Sequence, residues 1–589
     1  MAASQMTQPK SAGGAFLMES LTPGAIFTFE DLSGEHLAIA RTAAEFWNQE
    51  VQPKIEEIQH HEPGIALALL RKSAELGLTA ISIPEKYGGM ELDLASALVA
   101  EENLSGDASY AGWHGAHTGI GTLPLLYFGT EEQKKKYLPK LAKVELLAAY
   151  ALTEPHAGSD ALAARTRADL SPDGTHYIVN GQKMWITNGG AADLFTVFAK
   201  VGGEKFTAFL IERAFGGVTS GAEERKMGIK GSSTTAVYFE NVPVPVDNVL
   251  GEIGRGHVIA FNILNMGRLK LGALCVGGAK NVLAISLKYA KQRKAFGTSI
   301  AEFGAIQYKL AEMAIRTYAA ESISWRVTGL IQRQIEGSSW DQPDASATIV
   351  KALEEFAIEC SIAKVYGSEA LDYVVDEGVQ IHGGYGFHQD YAVERAYRDS
   401  RINRIFEGTN EINRLLIVGM LLKRAAKGQL PLLAAVQKVW AAVRSGEPLK
   451  DVHDEEERPV ENAKKIALLA IGMAYERFGT DLEKQQQVCM RLADIILEAF
   501  AMESAWLRKE KLLARLKTSR AGEICSVFLR DAMGRIELAA RDVIGASAGN
   551  NSRASMQMLR RLVVYDPVNS SEIRHNIAIR LLERERYAL

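Results

Sequence analysis

The spacing of apolar residues divides the chain into three helical stretches and one stretch rich in strands. Between residues 33 and 144, apolar side chains recur every three to four positions, as on one face of an amphipathic helix. Between residues 151 and 251, short runs of β-branched and aromatic residues favour strands. The helical period returns from 258 to 422 and again from 460 to 589. We therefore predict a multidomain α+β protein.

The strand-rich stretch contains four predicted strands and one predicted hairpin. The strands are His176–Val179, Leu194–Phe198, Phe206–Ile211 and Thr235–Phe239. The dipeptide Asn180-Gly181 predicts a hairpin turn between Tyr177–Val179 and Met184–Ile186, because both central positions of such a turn need a positive φ. The run Val242-Pro243-Val244-Pro245 is incompatible with a central strand, since proline donates no hydrogen bond to a neighbouring strand.

These changes of pattern predict five segments. They are an N-terminal arm (1–30), an N-terminal α-helical domain (31–150), a middle β-barrel-like domain (151–252), an α-helical bundle (253–425) and an additional C-terminal α-helical domain (430–589). Residues 444–459 are polar and contain an acidic run, which is typical of a linker or mobile loop.

One predicted helix, over residues 430–443, carries an apolar face. Its members are Leu432, Val436, Val439, Trp440 and Val443. This face either packs onto the protein's own domain or makes a weak peripheral contact with a membrane. Lys438 and Arg444 are too few for strong binding to anionic lipid by charge.

Composition narrows the class of protein. Of 589 residues, 47% are hydrophobic and 23% are charged, which is ordinary for a globular chain. A formal net charge of −4 disfavours nonspecific binding to nucleic acid. No uninterrupted apolar run approaches the roughly 18 residues of a membrane-spanning helix. Four scattered cysteines, with no signal peptide at the N-terminus and no peroxisomal address at the C-terminus, indicate the cytoplasm.

Generic motifs leave the function open. The chain contains no GxxxxGK[ST], HExxH or GxSxG pattern. His114 and His117 have the spacing of a metal pair, but no third ligand is evident, so packed histidines are favoured and no metal is predicted. The glycines of Gly383–Gly386 are suited to cradling a phosphate or simply to turning the chain.

Six spans together resemble the acyl-CoA dehydrogenase family of flavoenzymes, in the family's order and at its separations. They are Tyr150–Asp160 (YALTEPHAGSD), Asn180–Gly189 (NGQKMWITNG), Lys226–Thr234 (KMGIKGSST), Arg293–Gly297 (RKAFG), Gln380–Gly386 (QIHGGYG) and Arg404–Ile412 (RIFEGTNEI). The added C-terminal helices and Leu264–Arg268 (LNMGR) resemble the very-long-chain type and bacterial fatty-acid β-oxidation members.

The resemblance implies an FAD-dependent α,β-dehydrogenation of long-chain acyl-CoA to trans-2-enoyl-CoA, the first step of fatty-acid β-oxidation. The electrons would pass to electron-transfer flavoprotein. Removing an α-proton and a β-hydride requires a base, a sink for enolate-like charge and an oxidant.

The resemblance places the catalytic base at Glu407. Its apolar neighbours Ile405 and Phe406 predict a raised pKa through desolvation. Taken without the resemblance, a glutamate at this position is more commonly a surface or helix-capping residue. Isovaleryl-type members carry the base on an earlier helix, at the position of Gly267, and glycine cannot serve as a base.

The resemblance also implies the contacts with FAD and acyl-CoA. One FAD set comprises Tyr150, Leu152, Thr153, Ser159, Trp185 and Thr187. A second FAD set, reaching the adenine and pyrophosphate of a neighbouring subunit, comprises Arg293, Phe296, Gln380, Gly383 and Gly384. Thr409 and Glu411, after the base, are further FAD contacts. The acyl-CoA set comprises Ser159, Asn265, Arg268, Phe406, Gly408, Gly112, Gly115 and Ala116. A site completed across an interface implies at least a dimer, and we expect a homodimer.

Medium-chain members carry bulkier side chains where this chain has Gly112, Gly115 and Ala116. The missing volume indicates either an open acyl tunnel or close helix packing. Two other functions stay open. They are an acyl-CoA oxidase, which passes electrons to oxygen, and an interaction or assembly protein with a residual flavin site.

Overall fold

The computed structural model describes residues 11–445, 455–516 and 520–588. Seven helices come first in the described chain, and they form the predicted N-terminal helical stretch. They are α1 (Gly34–Phe46), α2 (Ile55–Gln59), α3 (Ile65–Glu75), α4 (Leu94–Leu104), α5 (Ala108–Gly115), α6 (Leu123–Phe128) and α7 (Glu131–Ala142). Side-chain caps define several of their starts: Ser33, Asp93 and Thr130 each accept a hydrogen bond from the backbone N–H three residues later.

A single eight-stranded sheet follows these helices. Its strands are β1 (Ala148–Ala151), β2 (Arg167–Leu170), β3 (His176–Thr187), β4 (Leu194–Val201), β5 (Lys205–Glu212), β6 (Val218–Ser220), β7 (Thr234–Pro245) and β8 (Val249–Leu250). The strand order is β6-β7-β3-β2-β4-β5-β8, and β1 pairs in parallel with β4 beside β2. The sheet has its own apolar core, which includes Phe195, Phe209 and Phe239.

The predicted hairpin at Asn180-Gly181 is wrong. Both residues lie inside β3, which runs without a turn from His176 to Thr187. The register with β7 slips between Val179 and Gly181, so the dipeptide marks a β-bulge. A Cβ on Gly181 would lie 2.5 Å from Thr166 Oγ1 on the approach to β2, which explains why only glycine fits there.

The four predicted strands are confirmed, and the prolines lie where their chemistry allows. Residues 242–245 belong to β7 and pair with β3 alone, because β6 pairs with β7 only at Val237–Phe239. The proline segment is therefore an edge, where a missing N–H leaves no neighbouring carbonyl unpaired.

A long helical bundle follows the sheet. Its elements are α8 (Gly256–Gln292), the short strands β9 (Lys294–Ala295) and β10 (Thr298–Ser299), α9 (Gly304–Ile335), α10 (Ala345–Glu355), α11 (Ala357–His382), α12 (Ala392–Ser400) and α13 (Asn410–Ala426). In the described chain only α8 is long and apolar enough to cross a membrane, and 67% of its apolar window is buried in the fold.

Six further helices complete the chain. They are α14 (Leu432–Arg444), α15 (Glu457–Phe478), α16 (Gln486–Leu516), α17 (Ala521–Ser547), α18 (Ser552–Leu562) and α19 (Ser570–Arg584). Of the predicted linker, residues 446–454 lie outside the described residues, and residues 457–459 already belong to α15.

The apolar face of α14 packs onto the protein. Leu432, Val436, Val439 and Val443 are buried, and Trp440 packs against the same core. A Cβ on Gly472 of α15 would lie 2.4 Å from Val436, so the two helices approach closely. Internal packing therefore accounts for this face.

The described part of the N-terminal arm lies between the bundle and the C-terminal helices. Phe16 packs edge-on against Phe500 of α16, and the Gly14 N–H donates to Glu359 of α11 at 2.7 Å. Glu30 accepts from Arg508 of α16 at 2.6 Å. The arm thus ties the two helical regions together, and its first ten residues lie outside the described chain.

Candidate functional site

The loop before α13 holds Glu407 in an unusual backbone conformation. Glu407 has φ +57° and Gly408 has φ +78°, so two successive residues are left-handed. A left-handed glutamate costs free energy and persists only where its surroundings enforce it. Asn413 supplies that enforcement, because its Nδ2 donates to the carbonyls of Glu407, Gly408 and Thr409 at 3.3, 2.8 and 3.0 Å. Thr409 then caps α13 by accepting from the Ile412 N–H at 3.2 Å.

The Glu407 carboxylate points at α8. A Cβ on Gly267 would lie 2.7 Å from Glu407 Oε2, so glycine there leaves the space that the carboxylate occupies. Oε2 is buried and accepts no hydrogen bond from any residue in the described ranges. Burial raises the pKa of Glu407 to about 7, while the cations of Arg268 and Lys364 act in the opposite direction. The predicted direction of the pKa shift is confirmed.

Arg268 and Asn265 form one unit beside this carboxylate. Both are buried on α8, and Arg268 Nη1 donates to Asn265 Oδ1 at 2.9 Å. Arg268 Nε donates to the Glu407 carbonyl at 3.1 Å, so the Arg268 guanidinium connects α8 to the Glu407 loop. The structure therefore brings three residues of the predicted site into direct contact.

Strand β1 contacts α8, the helix that also carries Gly267 and Arg268. The Tyr150 hydroxyl of β1 donates to the Ala260 carbonyl of α8 at 3.4 Å. Burial raises the pKa of Tyr150 well above its usual range, and the Glu407 charge adds to this effect. The carbonyls of Leu152 and Thr153 accept from Lys183 Nζ at 3.1 Å and from the Met184 N–H at 2.9 Å. These bonds place the end of β1 beside β3.

Trp185 lies at a second bulge in β3. Its φ is +60°, and its side chain is 54% exposed although β3 is otherwise well paired. Thr187, two positions on, is half-buried, and Ser159 lies exposed on the loop after β1. A strained backbone that presents a large aromatic ring to solvent is typical of a binding surface.

A second group of predicted residues gathers at the other end of the bundle. Gln380, Gly383 and Gly384 end α11, and all three are exposed. Arg293 at the end of α8 lies over the Tyr385 ring at 5.4 Å. Phe296, in the turn between β9 and β10, has φ +54° and is 96% exposed.

Within one chain these two groups are far apart. Lys364 contacts the Glu407 loop and Gln380 belongs to the second group, and both lie on α11. Sixteen residues of helix separate them, which is about 24 Å at 1.5 Å per residue. The two groups of predicted residues are therefore separated along α11 in the described chain.

The residues predicted to line an acyl tunnel lie along α5 and the turn after it. A Cβ on Gly112 would lie 3.1 Å from Ser232 Oγ, and one on Gly115 would lie 3.5 Å from Glu101 Oε2. Ala116 is buried. The short distance at Gly112 favours close helix packing. The ordinary contact distance at Gly115 leaves room for a side chain, which agrees with an open tunnel, so both explanations stay open.

The histidines beside this helix have separate environments. His117 Nε2 bonds to the Leu141 carbonyl at 2.9 Å, and its Nδ1 accepts from the Ala148 N–H at 3.1 Å. His114 lies 3.8 Å from buried Glu101. No group of three or more metal-ligating side chains with metal geometry occurs in the described part of the chain.

The remaining predicted residues are at the surface around the loop. Phe406 is 37% exposed, and Glu411 is exposed on the first turn of α13. Sequence reasoning missed three residues that hold the loop: Lys364, Asn410 and Asn413. Lys364 Nζ donates to the Gly408 carbonyl at 2.8 Å and to Asn410 Oδ1 at 2.6 Å. A single lysine inside the apolar run Ile362–Val365 was the available signal.

Comparison with known proteins identifies the family. Models of the acyl-CoA dehydrogenase N-terminal, middle and C-terminal domains match residues 33–145, 149–242 and 254–422, and a further acyl-CoA dehydrogenase C-terminal domain matches 462–561. The chain belongs to the acyl-CoA dehydrogenase family. The family's fold, with helical, β and helical domains in that order, is the architecture described above.

Relatives cover nearly the whole chain. A probable acyl-CoA dehydrogenase of Bacillus subtilis is 47% identical over 98% of this chain and 98% of its own length. The human mitochondrial very-long-chain specific acyl-CoA dehydrogenase is 36% identical over 90% of this chain and 83% of its own. The crystal structure of an acyl-CoA dehydrogenase complexed with FAD from Bacillus anthracis matches at TM-score 0.96 and 47% identity, covering 98% and 100%. The chain is thus an FAD-dependent oxidoreductase of this family.

Proposed function

We propose that this protein oxidises long-chain acyl-CoA thioesters to trans-2-enoyl-CoA, with Glu407 as the base that removes the α-proton. The observation that supports this most is the carboxylate itself. Its Oε2 is buried and has no hydrogen-bond partner among the described residues, and desolvation raises the pKa of Glu407 to about 7. A base with a pKa near the working pH exchanges protons most effectively.

The loop offers a place for the charge that develops on the thioester oxygen. The N–H groups of Ile405 and Phe406 both donate to the Ile402 carbonyl, whereas in the described chain the Glu407 N–H, at the left-handed turn, donates to no protein acceptor. We assign this N–H to the thioester carbonyl, where a fixed donor stabilises an enolate-like oxygen. Arg268 and Asn413 fix the turn through its carbonyls.

Aromatic and short polar side chains on β3, on β7 and after β1 are suited to binding a flavin. Trp185 presents an exposed ring in a strained conformation, and Thr153 and Thr187 place short polar side chains nearby. Ser232 Oγ and Thr235 Oγ1 are buried on β7 and its approach without a hydrogen-bond partner in the described ranges. When bound, FAD supplies the two-electron oxidant that accepts the substrate's hydride.

We propose that a second copy of the chain completes each site. Arg293, Phe296, Gln380 and Gly384 would then meet the flavin of the partner. Within one chain, Gln380 lies about 24 Å along α11 from Lys364, which contacts the Glu407 loop. An arginine fork suits a pyrophosphate, and the glycines allow close backbone approach. The exposure of Phe296 agrees with a surface that association covers.

The remaining assignments rest on the family and on the chain's own pattern. We propose the domain division 31–150, 151–252, 253–425 and 430–589, and electron-transfer flavoprotein as electron acceptor in fatty-acid β-oxidation. The four cysteines of the described chain are buried and form no disulfide, which supports a reducing compartment such as the cytoplasm. Preference for long chains is supported by Gly112, Gly115 and Ala116 and by the very-long-chain relatives.

An anaerobic spectral titration tests the proposed function. The FAD-loaded protein should be bleached by palmitoyl-CoA and much less by butyryl-CoA. Bleaching by neither substrate would contradict the proposed reaction and favour an interaction or assembly role. Bleaching followed by rapid reoxidation on admitting oxygen, with release of hydrogen peroxide, would favour an acyl-CoA oxidase instead.

A further inference from the structure

A chain of hydrogen bonds connects the C-terminal domain to the Glu407 loop. It begins at Asp494 on α16, whose Oδ1 accepts from Arg414 Nε of α13 at 2.8 Å. The Arg414 fork also donates to both oxygens of Glu369 on α11, at 2.6 and 2.9 Å. A bidentate guanidinium–carboxylate pair fixes both distance and orientation. Arg414 is thereby held between the bundle and the C-terminal domain.

The chain continues from Glu369 to the loop. Glu369 Oε1 accepts from Asn410 Nδ2 at 3.0 Å, and Asn410 Oδ1 accepts from Lys364 Nζ at 2.6 Å. Lys364 Nζ also donates to the Gly408 carbonyl at 2.8 Å. Lys364 and Asn410 are buried, so these last links are shielded from water, in which such bonds weaken.

The Asp494 end of this chain lies at a cavity of about 400 Å³ between the bundle and the C-terminal helices. Arg491, on the same turn of α16, also donates to Asp494, at 3.3 Å. The cavity wall includes a second ion pair, in which Arg535 of α17 donates to Glu498 of α16 at 2.5 and 3.1 Å. Both members of that pair belong to the C-terminal domain, so it does not lead to the loop.

We propose that Asp494 is a positioning residue for the reaction: through Arg414, Glu369, Asn410 and Lys364, the C-terminal domain holds the Glu407 loop in its active geometry. The inference rests on the proposed function of Glu407. It gives the C-terminal domain a role in catalysis besides adding buried surface. Small displacements of a reacting group are costly, since about 1 Å can change a rate on the order of a hundredfold.

Three variants test the proposal. Asp494→Asn removes the charge that orients Arg414. Arg414→Lys keeps a positive charge but cannot span Glu369 and Asp494 with one fork. Glu498→Gln is the matched control, because it neutralises a carboxylate one helical turn away in the same cavity without touching the chain of hydrogen bonds.

The first readout is the limiting rate of flavin bleaching at saturating palmitoyl-CoA. We expect Asp494→Asn and Arg414→Lys each to lower it on the order of tenfold. The double variant should be little slower than either, because both changes break the same link. Glu498→Gln should bleach at the wild-type rate. Equal rates in Asp494→Asn and Glu498→Gln would overturn the proposal.

The second readout is the pH dependence of that rate. Three groups face Glu407 from the elements around it: Arg268 of α8, Lys364 of α11 and Tyr150 of β1. Loosening Lys364 weakens a cation that lowers the pKa of Glu407, so the acidic limb should move to higher pH in Asp494→Asn. If the substitution only destabilised the fold, the bleaching rate would fall while the acidic limb of its pH dependence stayed at the wild-type pH. That result would contradict the proposal.

The third readout does not depend on turnover. Backbone amides of residues 405–413 should exchange hydrogen faster in Asp494→Asn than in the wild type or in Glu498→Gln. If the wild-type protein bleaches with no acyl-CoA, the proposed function fails, and this comparison still decides whether Asp494 holds the loop. Unchanged exchange in Asp494→Asn would overturn the positioning role.

Discussion

Glu407 and Glu321 each keep a carboxylate oxygen out of contact with solvent, but their surroundings are opposite. Glu321 on α9 is fully buried and contacts Lys280, Arg508 at 2.6 Å and the Tyr587 hydroxyl at 2.9 Å. Glu407 Oε2 is equally shielded but accepts no hydrogen bond from the described chain. Burial disfavours the charged form of both, yet Arg508 and Lys280 outweigh it at Glu321 and lower its pKa to about 2. At Glu407 burial prevails, and the pKa is raised to about 7.

The difference teaches that partners, and not burial, separate a carboxylate that stays ionised from one that can take up a proton near neutral pH. Glu321 of α9 pairs with the cations of Lys280 on α8 and Arg508 on α16 and accepts from the Tyr587 hydroxyl, so it stays ionised and holds these elements together. Glu407 has room to take up a proton because Arg268 donates to its carbonyl and not to its carboxylate. The same residue type therefore serves two functions in one molecule.

The largest expected effect comes from Glu407→Gln. Loss of a general base should slow flavin bleaching by palmitoyl-CoA about a thousandfold or more. Ionising Glu407 opposes folding above pH 7, since its folded pKa of about 7 exceeds the ordinary 4.5. The variant should therefore unfold at the same or a higher temperature at pH 8. A variant that still bleaches at the wild-type rate would contradict the assignment of the base.

Glu321→Gln should lower the stability of the fold and leave the bleaching rate nearly unchanged, the opposite of Glu407→Gln. The substitution removes a buried carboxylate that Arg508 and Lys280 share, although Arg508 keeps Glu30 and Lys280 keeps Glu102. Breaking a buried pair costs up to about 3–5 kcal/mol. The unfolding temperature should fall, while the bleaching rate below that temperature stays near the wild type. In the wild type the contribution of Glu321 is present above its unfolded pKa near 4.5 and is lost as pH falls toward about 2. An unchanged unfolding temperature at pH 7 would contradict this role.

Gly267→Ala tests the space beside the Glu407 carboxylate. The added Cβ would lie 2.7 Å from Oε2, at the free end of a flexible side chain, so the carboxylate should move while the fold stays intact. We expect bleaching to slow roughly 10- to 100-fold. Gly278→Ala on the same helix is the control, because its Cβ would meet Leu371 at 3.4 Å, an ordinary contact. Equal rates in the two variants would contradict the predicted displacement.

Gly112→Gln has the smallest expected effect and concerns acyl length. A side chain here should reduce bleaching by palmitoyl-CoA more than by butyryl-CoA, changing their ratio on the order of tenfold. Equal loss for both substrates would support close helix packing against Ser232, which would lie 3.1 Å from the new Cβ. The ratio of the two rates, measured in one preparation, separates these explanations.

The two glutamates also show what sequence can predict. Glu407 was predicted because it lies in a motif, with apolar neighbours that indicate desolvation. Glu321 carries no local signal, since its partner Arg508 lies 187 residues away and only the tertiary fold brings them together. The hairpin prediction at Asn180-Gly181 was wrong for the same reason, because a distant segment decides the outcome. Pairing with β7 accommodates these two turn-forming residues as a β-bulge inside β3. The order of helical and strand-rich stretches was predicted correctly, because periodicity reports burial directly.

The most direct test of the account is the pH dependence of flavin bleaching at low palmitoyl-CoA. The second-order rate constant under these conditions reports the ionisation of the free enzyme. The account predicts a rate that rises with pH through an apparent pKa near 7 and then levels, because only ionised Glu407 removes the α-proton. A rate that is already constant from pH 5.5 upward would show that the carboxylate ionises as an ordinary glutamate, and would contradict the central claim.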